Sequence, residues 1–139
     1  MGKFGYTPVS ILKKLRKSSN KKLAVMLNEK STLPEDLDEL LTPIKGLADM
    51  VRLAVDPKNF ERAVVLAKAV KAMGFEVAFN TMYMSKWSTE YKGFLDNLSE
   101  INGVADLFCM VDSFALPRFL RDIIFIIIYI KIRSSMTAS

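Results

Sequence analysis

Apolar residues gather in four short segments that recur at regular intervals along the chain. The starts of successive segments lie about 26 to 31 residues apart, and each segment is rich in Val, Leu, Phe or Met. Apolar and polar residues alternate only weakly within them, which indicates strands covered on both faces, as in the parallel sheets of α/β proteins. The segments are KLAVMLN (Lys22 to Asn28), ADMVRLAV (Ala48 to Val55), FEVAFNTM (Phe75 to Met82) and DLFCMVDS (Asp106 to Ser113).

Helical periodicity fills the intervals between these predicted strands. Apolar residues recur there at i, i+3, i+4 and i+7, which gives each linking segment one apolar stripe. Pro43 is expected to end one helix near Thr42, because proline lacks the N–H that an interior position donates. Gly74 and Gly103 stand where a left-handed residue often ends a helix. A first helix is expected through Ile11, Leu12 and Leu15. The three stripes are Leu37, Leu40, Leu41 and Ile44; Phe60, Ala63, Val64 and Ala67; and Tyr91, Phe94, Leu95 and Leu98.

The order of these elements predicts an α/β fold. Helices and strands alternate from the first helix to the fourth strand, which favours parallel strands joined by helical crossovers. A repeat of about 28 residues fits the βα units of a TIM barrel and also those of a doubly wound sheet. Four strands cannot close an eight-stranded barrel. We therefore predict parallel βα repeats that resemble about half of a TIM barrel, incomplete at both ends, over residues 1–117.

Residues 118–139 form a separate apolar tail in this interpretation. The run from Ile123 to Ile130 is apolar throughout. A membrane-spanning helix needs about 20 apolar residues, and shorter runs are more often buried in a protein. A buried fifth strand is the first interpretation, a short helix the second and a membrane anchor the third.

Positive charge is concentrated at the start of the chain. The net charge is +5, and residues 1–30 carry eight Lys or Arg against one acid, Glu29. Such a cluster could meet phosphates or a membrane surface. A solvated helix face, with cations near the helix C-terminus, is the favoured interpretation. No aromatic residues interleave the lysines, which argues against a platform for single-stranded nucleic acid. We expect neither nucleic acid nor a membrane as partner.

The residue composition excludes several kinds of chemistry. The chain has no histidine, which removes Ser-His and Cys-His catalytic pairs and every histidine metal ligand. The single cysteine, Cys109, lies in an apolar run and is expected to be a small buried side chain. The N-terminus shows no apolar signal-peptide region, so a cytoplasmic location is expected.

Polar residues mark the ends of the predicted strands, where α/β proteins bind ligands. Arg52, Asn80 and Asp112 are spaced at close to the repeat length, and Ser113 follows the last of them. They are expected to gather at one rim of the sheet. The alternative is that strand ends are polar only because turns favour such residues. Arg52 is the most informative, because a buried cation must find a partner, which could be a ligand carboxylate, Glu29 or Asp112.

Two stretches carry a resemblance to a known family. The segment VRLAVDPKNFERAVVLAKAVKAMGFEVAFNTMYMS, followed by ADLFCMVDSF, resembles the HMG-CoA-lyase-like metal-dependent aldolases, and in particular domains of the 4-hydroxy-2-oxovalerate aldolase type. The resemblance extends over roughly residues 2 to 117. It implies a TIM barrel that breaks or forms a carbon–carbon bond next to the carbonyl of a 2-oxo acid. It also implies a divalent metal, Mn or Mg, that polarises this carbonyl.

The resemblance implies roles for four residues of this chain. Arg52, Asn80, Asp112 and Ser113 would line the substrate end of the barrel, with Ser113 near the substrate oxygens. The metal-binding motifs of the family, Asp-x-Thr-Leu-Arg-Asp-Gly and His-x-His, have no counterpart in the sequence. We therefore expect a fragment of an aldolase or lyase that is inactive alone and that self-associates through unpaired sheet edges. The alternative is a non-enzymatic, flavodoxin-like binding or interaction module.

Overall fold

A single five-stranded sheet organises the chain, in a computed structural model that describes residues 8–111 and 127–131. The strands lie in the order β1-β2-β3-β4-β5. The first four are parallel, as predicted, and β5 is antiparallel to β4. The strands are β1 (Ala24–Asn28), β2 (Met50–Val55), β3 (Glu76–Thr81), β4 (Leu107–Val111) and β5 (Ile127–Lys131).

Helices occupy the intervals between the parallel strands, which confirms the predicted alternation. Pro8 precedes the first helix and fits there because its fixed φ suits a helix start. The helix before Pro43 ends at Leu41, and a 3-10 turn follows. Gly74 and Gly103 have φ of 93° and 75°, a left-handed conformation that glycine adopts without steric cost. The helices are α1 (Val9–Ser18), α2 (Leu37–Leu41), α3 (Phe60–Ala72), α4 (Trp87–Glu90) and α5 (Lys92–Asp96).

One predicted helix is broken in two. The stripe begins at Tyr91, which lies between α4 and α5, and runs through α5 to Leu98, the first residue of the 3-10 turn that follows. Tyr91 has φ −129° and ψ 43°, which interrupts the helical hydrogen bonding. Phe94 is buried as the stripe requires, but Leu95 is 40% exposed. A periodic apolar pattern therefore marked the correct segment without revealing its break.

The hydrophobic core lies on one face of the sheet. The strand side chains of the core cluster are paired with one another in the strand register, so they all lie on this face. The same cluster contains side chains from α1, α2, α3, α4 and α5. The described helices therefore pack against a single face, which we call the helix face. Its buried strand residues are Leu27, Val51, Leu53, Val55, Val77, Phe79 and Phe108.

The other face of the sheet, here called the Arg52 face, carries a different set of side chains. None of them belongs to the hydrophobic core cluster of the described residues. Met26 is 52% exposed, whereas Ala78 and Cys109 are fully buried. The sequence predicted strands that are covered on both faces, and within residues 8–111 the helices cover one of the two. The Arg52 face is formed by Ala24, Met26, Asn28, Met50, Arg52, Ala54, Glu76, Ala78, Asn80, Leu107, Cys109 and Val111.

Two aspartates fix the amino ends of the parallel strands. Asp49 precedes β2 and accepts hydrogen bonds from the Leu23 backbone N–H at 2.8 Å and from Arg16 Nη2 at 2.9 Å. Asp106 precedes β4 and accepts from the Val77 backbone N–H at 2.8 Å. Each carboxylate satisfies a backbone donor in the neighbouring strand, so strand register is held at this end by charge-assisted hydrogen bonds.

The apolar tail is described only from Ile127 to Lys131. This segment is a strand, in agreement with the first interpretation. Its side chains lie outside the described residues, so its predicted burial stays a prediction. Among the described helices, none is long and apolar enough to cross a bilayer.

Candidate functional site

Two of the four predicted site residues come together on the Arg52 face. Arg52 lies in β2, where it pairs with Ala78 in the strand register, and Asn80 follows two residues later in β3. Side chains two residues apart on a strand share one face, so Arg52 and Asn80 are diagonal neighbours. Asp112 and Ser113 lie outside the described residues, and their predicted place at the rim stays a prediction.

The Arg52 guanidinium is hydrogen-bonded to the amide of Asn80. With the amide oxygen turned toward the guanidinium, it accepts from Arg52 Nε at 3.2 Å and from Nη2 at 2.7 Å. This orientation follows from chemistry, because a guanidinium only donates hydrogen bonds, and an amide nitrogen, itself a donor, could not accept them. Asn80 is 5% exposed and Arg52 is half-buried.

The positive charge of Arg52 has no ion-pair partner among the described acidic residues. Glu29, which the sequence offered as one candidate, is instead 3.4 Å from Arg62 Nε and accepts from Asn59 Nδ2 at 3.3 Å. Asn80 is neutral and does not itself compensate the charge of the guanidinium. A half-buried cation in this setting favours binding of an anion, because removing a positive charge from water costs free energy unless a negative charge offsets it.

Cys109 lies beside Asn80 in the next strand and is fully buried. Burial raises the pKa of its thiol, and the positive charge of Arg52 opposes this shift. The raised pKa keeps the thiol protonated at neutral pH, and a protonated thiol is a poor nucleophile. Cys109 is thus a small apolar wall of the site, as its apolar sequence context predicted.

Glu29 belongs to a separate charged cluster at the carboxyl end of β1. Its side chain is fully buried between this strand end and the first turn of α3, where Arg62 and Asn59 contact it. Nearby, Lys30 Nζ is 3.6 Å from Asp56 Oδ2. The sequence offered Glu29 as a possible partner of Arg52, but its contact with α3 depends on how the helix packs and had no local signal. The cluster joins β1 to α3 on the helix face and is structural.

The loop after β3 contributes a packing residue. Trp87 is 6% exposed, and its indole N–H donates to the Met82 carbonyl at 2.7 Å. Its ring lies 4.8 Å from that of Phe94 and 6.0 Å from that of Phe108, measured between centroids. These contacts fill the helix-face core, so Trp87 supports the loop and does not cover a ligand on the Arg52 face.

A cleft of about 520 Å³ lies on the helix side of the molecule, between the start of α3 and the α4–α5 segment. Lys58 and Tyr91 face each other across it, with Lys58 Nζ 5.8 Å from the ring centroid. None of the predicted site residues lines this cleft. The cleft is therefore separate from the Arg52 face.

The residues that the structure describes do not fit a metal centre. They contain no group of three or more His, Cys, Asp or Glu side chains that could hold a metal ion. The whole sequence lacks histidine, which supplies metal ligands in many enzymes. The divalent metal implied by the family resemblance thus has no ligand set within residues 8–111.

Comparison with known proteins gives one informative match. No protein-family model matches the chain, and no curated protein matches it. Among solved structures, the chain is similar to the crystal structure of the N-terminal domain of a "putative aldolase" from Bacteroides vulgatus, with 68% sequence identity and a TM-score of 0.77. The match covers 82% of this chain and 38% of that one. This similarity supports a relationship to an aldolase N-terminal domain.

Proposed function

We propose that the chain is part of a carbon–carbon lyase of the aldolase type and that Arg52 binds the carboxylate of its 2-oxo acid substrate. In this proposal the four parallel strands correspond to about half of a TIM barrel, and the Arg52 face is the inner face of that barrel. The similarity to the Bacteroides vulgatus domain supports the aldolase part of the proposal. The substrate class rests on the chemistry of the Arg52 face.

The strand order supports a barrel lineage over a doubly wound one. Successive strands of a TIM barrel are neighbours, and its helices form a layer on the outside. The flavodoxin-like order 2-1-3-4-5 reverses direction and places helices on both faces. The described sheet runs β1-β2-β3-β4 without reversal, and its helices pack on one face. A flavodoxin-like binding module is therefore the less favoured proposal.

The observation that carries the substrate proposal is that no described acidic residue forms an ion pair with Arg52. Its guanidinium is hydrogen-bonded to a neutral amide and stands on a face that is otherwise mainly apolar. Arginine matches a planar carboxylate well, because two parallel N–H groups can donate to its two oxygens. Apolar neighbours suit the short carbon chain of a small 2-oxo acid. Asp112 and Ser113, at the end of β4 in the sequence, are proposed to line the same rim.

Arg52 would bind and orient the substrate without breaking the bond. Holding the carboxylate in place aligns the adjacent carbonyl for whatever group activates it. A divalent metal would polarise that carbonyl in the family that the sequence resembles. Because residues 8–111 offer no ligand set for such a metal, we assign no step to it. We propose that this chain alone binds a 2-oxo acid but does not turn it over.

The test is binding of pyruvate, and of oxalate as a planar analogue, by isothermal titration calorimetry on the full 139-residue chain. Replacing Arg52 by Gln should weaken binding at least about tenfold, because a charge-assisted bidentate contact is lost. Lys68→Gln is the matched control, since it removes one positive charge from an exposed position on α3. Equal affinity in Arg52→Gln and in the unsubstituted chain would contradict the proposal.

A further inference from the structure

We infer that Asn80 is a positioning residue for Arg52 and not a substrate contact. The inference rests on the proposed function, since it concerns how the same guanidinium receives a carboxylate. The sequence grouped Asn80 with Arg52 as two residues that touch substrate. The geometry gives them different roles, because the amide oxygen of Asn80 is directed at the guanidinium.

Asn80 is the side chain on this face that accepts from the guanidinium, whereas Glu76 is ion-paired with Lys22 and Asn28 accepts from the Lys30 backbone N–H. The side chains beside Arg52 along β2 and across the strand register on both sides are apolar and offer no acceptor of comparable strength. Asn80 itself is 5% exposed, so its amide is fixed by the surrounding structure. The buried Cys109 lies against it from β4. The apolar neighbours of Arg52 are Met26, Met50, Ala54 and Ala78.

The contact determines which edge of the guanidinium can receive a ligand. A carboxylate binds arginine either side-on, through Nε and one Nη, or end-on, through both Nη atoms. The Asn80 oxygen occupies the side-on edge, at 3.2 Å from Nε and 2.7 Å from Nη2. A substrate carboxylate is therefore received end-on, through Nη1 and the second hydrogen of Nη2.

The neutrality of Asn80 is part of this role. An aspartate has nearly the same shape and would hold the guanidinium in the same place, but its negative charge would compensate the cation. A ligand carboxylate would then face an ion pair instead of a free cation, and its attraction would fall. An amide therefore orients Arg52 without compensating its charge.

The inference is tested with Asn80→Asp and Asn80→Ala in the full chain, with oxalate as the probe. Asn80→Asp should weaken oxalate binding at least about tenfold while the protein stays folded, because the anion now competes with a fixed carboxylate. Asn80→Ala should weaken it by roughly three- to tenfold through loss of orientation. Asn28→Asp is the matched control, because Asn28 lies on the same face in β1 but its side chain accepts from the Lys30 backbone N–H at 3.0 Å.

A spectroscopic readout separates positioning from a merely structural role. The Arg52 Nε–H should give a resolved, slowly exchanging NMR signal in the unsubstituted chain and in Asn80→Asp, and this signal should be lost in Asn80→Ala. Arg52-dependent oxalate binding that neither Asn80 variant weakens would overturn the inference and leave the proposed function standing. Absence of oxalate binding by the unsubstituted chain would overturn both.

Discussion

At the residue scale, the chemistry of the site comes from three side chains on three neighbouring strands. Arg52 supplies the charge, Asn80 holds the guanidinium, and Cys109 packs beside the amide. Arg52 and Asn80 were singled out from the sequence as polar residues in apolar strands. Their hydrogen bond was not foreseen, because it depends on a diagonal contact between strands that only the register determines.

Cys109 offers a test of how far solvent is excluded from this part of the site. Because burial raises the pKa of the thiol, Cys109 should react with iodoacetamide at least about tenfold more slowly in the folded chain than in the chain unfolded with urea. The rates can be followed at pH 7.5 by mass spectrometry, and the chain has a single cysteine. Equal rates in the two states would show that Cys109 is accessible, which contradicts the structure.

At the element scale, the strands and the longest helix were predictable because their signals are local. Each apolar segment became a strand, and the stripe through Phe60 and Ala67 became α3. The break at Tyr91 and the antiparallel direction of β5 were not predictable. Both depend on packing and strand pairing between distant segments, which an apolar pattern does not encode. The two aspartates at the amino ends of β2 and β4 were missed for the same reason.

Asp49 gives a pH-dependent prediction at this scale. Its hydrogen bond from the Leu23 N–H, aided by Arg16, lowers the pKa of its carboxyl below the usual 3.8. A depressed folded-state pKa stabilises the protein above the unfolded-state value, and this stabilisation is lost as the pH falls through the folded-state pKa. Asp49→Asn should therefore lower the free energy of unfolding by about 0.5 to 1.5 kcal/mol at pH 7.

The measurement is urea unfolding at pH 7 and at pH 3 for the unsubstituted chain and the variant. The difference between them should shrink at the lower pH, because the carboxylate is then partly protonated. Glu39→Gln serves as control, since Glu39 is exposed on α2 and should change stability little at either pH. A difference that stays constant, or grows, as the pH falls would rule out this role for Asp49.

At the scale of the whole molecule, the sheet is asymmetric. The described helices pack on one face, while the opposite face carries Arg52, Asn80 and a set of apolar side chains. The sequence indicated the parallel order but not this one-sidedness, because both faces of the strands are apolar enough to be buried. The Arg52 face and the cleft around Lys58 and Tyr91 are therefore separate surfaces, and the location of a bound 2-oxo acid would distinguish between them.

The most direct test is therefore to map pyruvate or oxalate binding by NMR on the full chain, with sodium chloride at matched ionic strength as the reference. We predict that the largest chemical-shift changes fall on the backbone amides of Arg52, Ala54, Asn80 and Cys109. Changes confined to the cleft around Lys58, or to the basic helix α1, would contradict the assignment of the Arg52 face as the binding site.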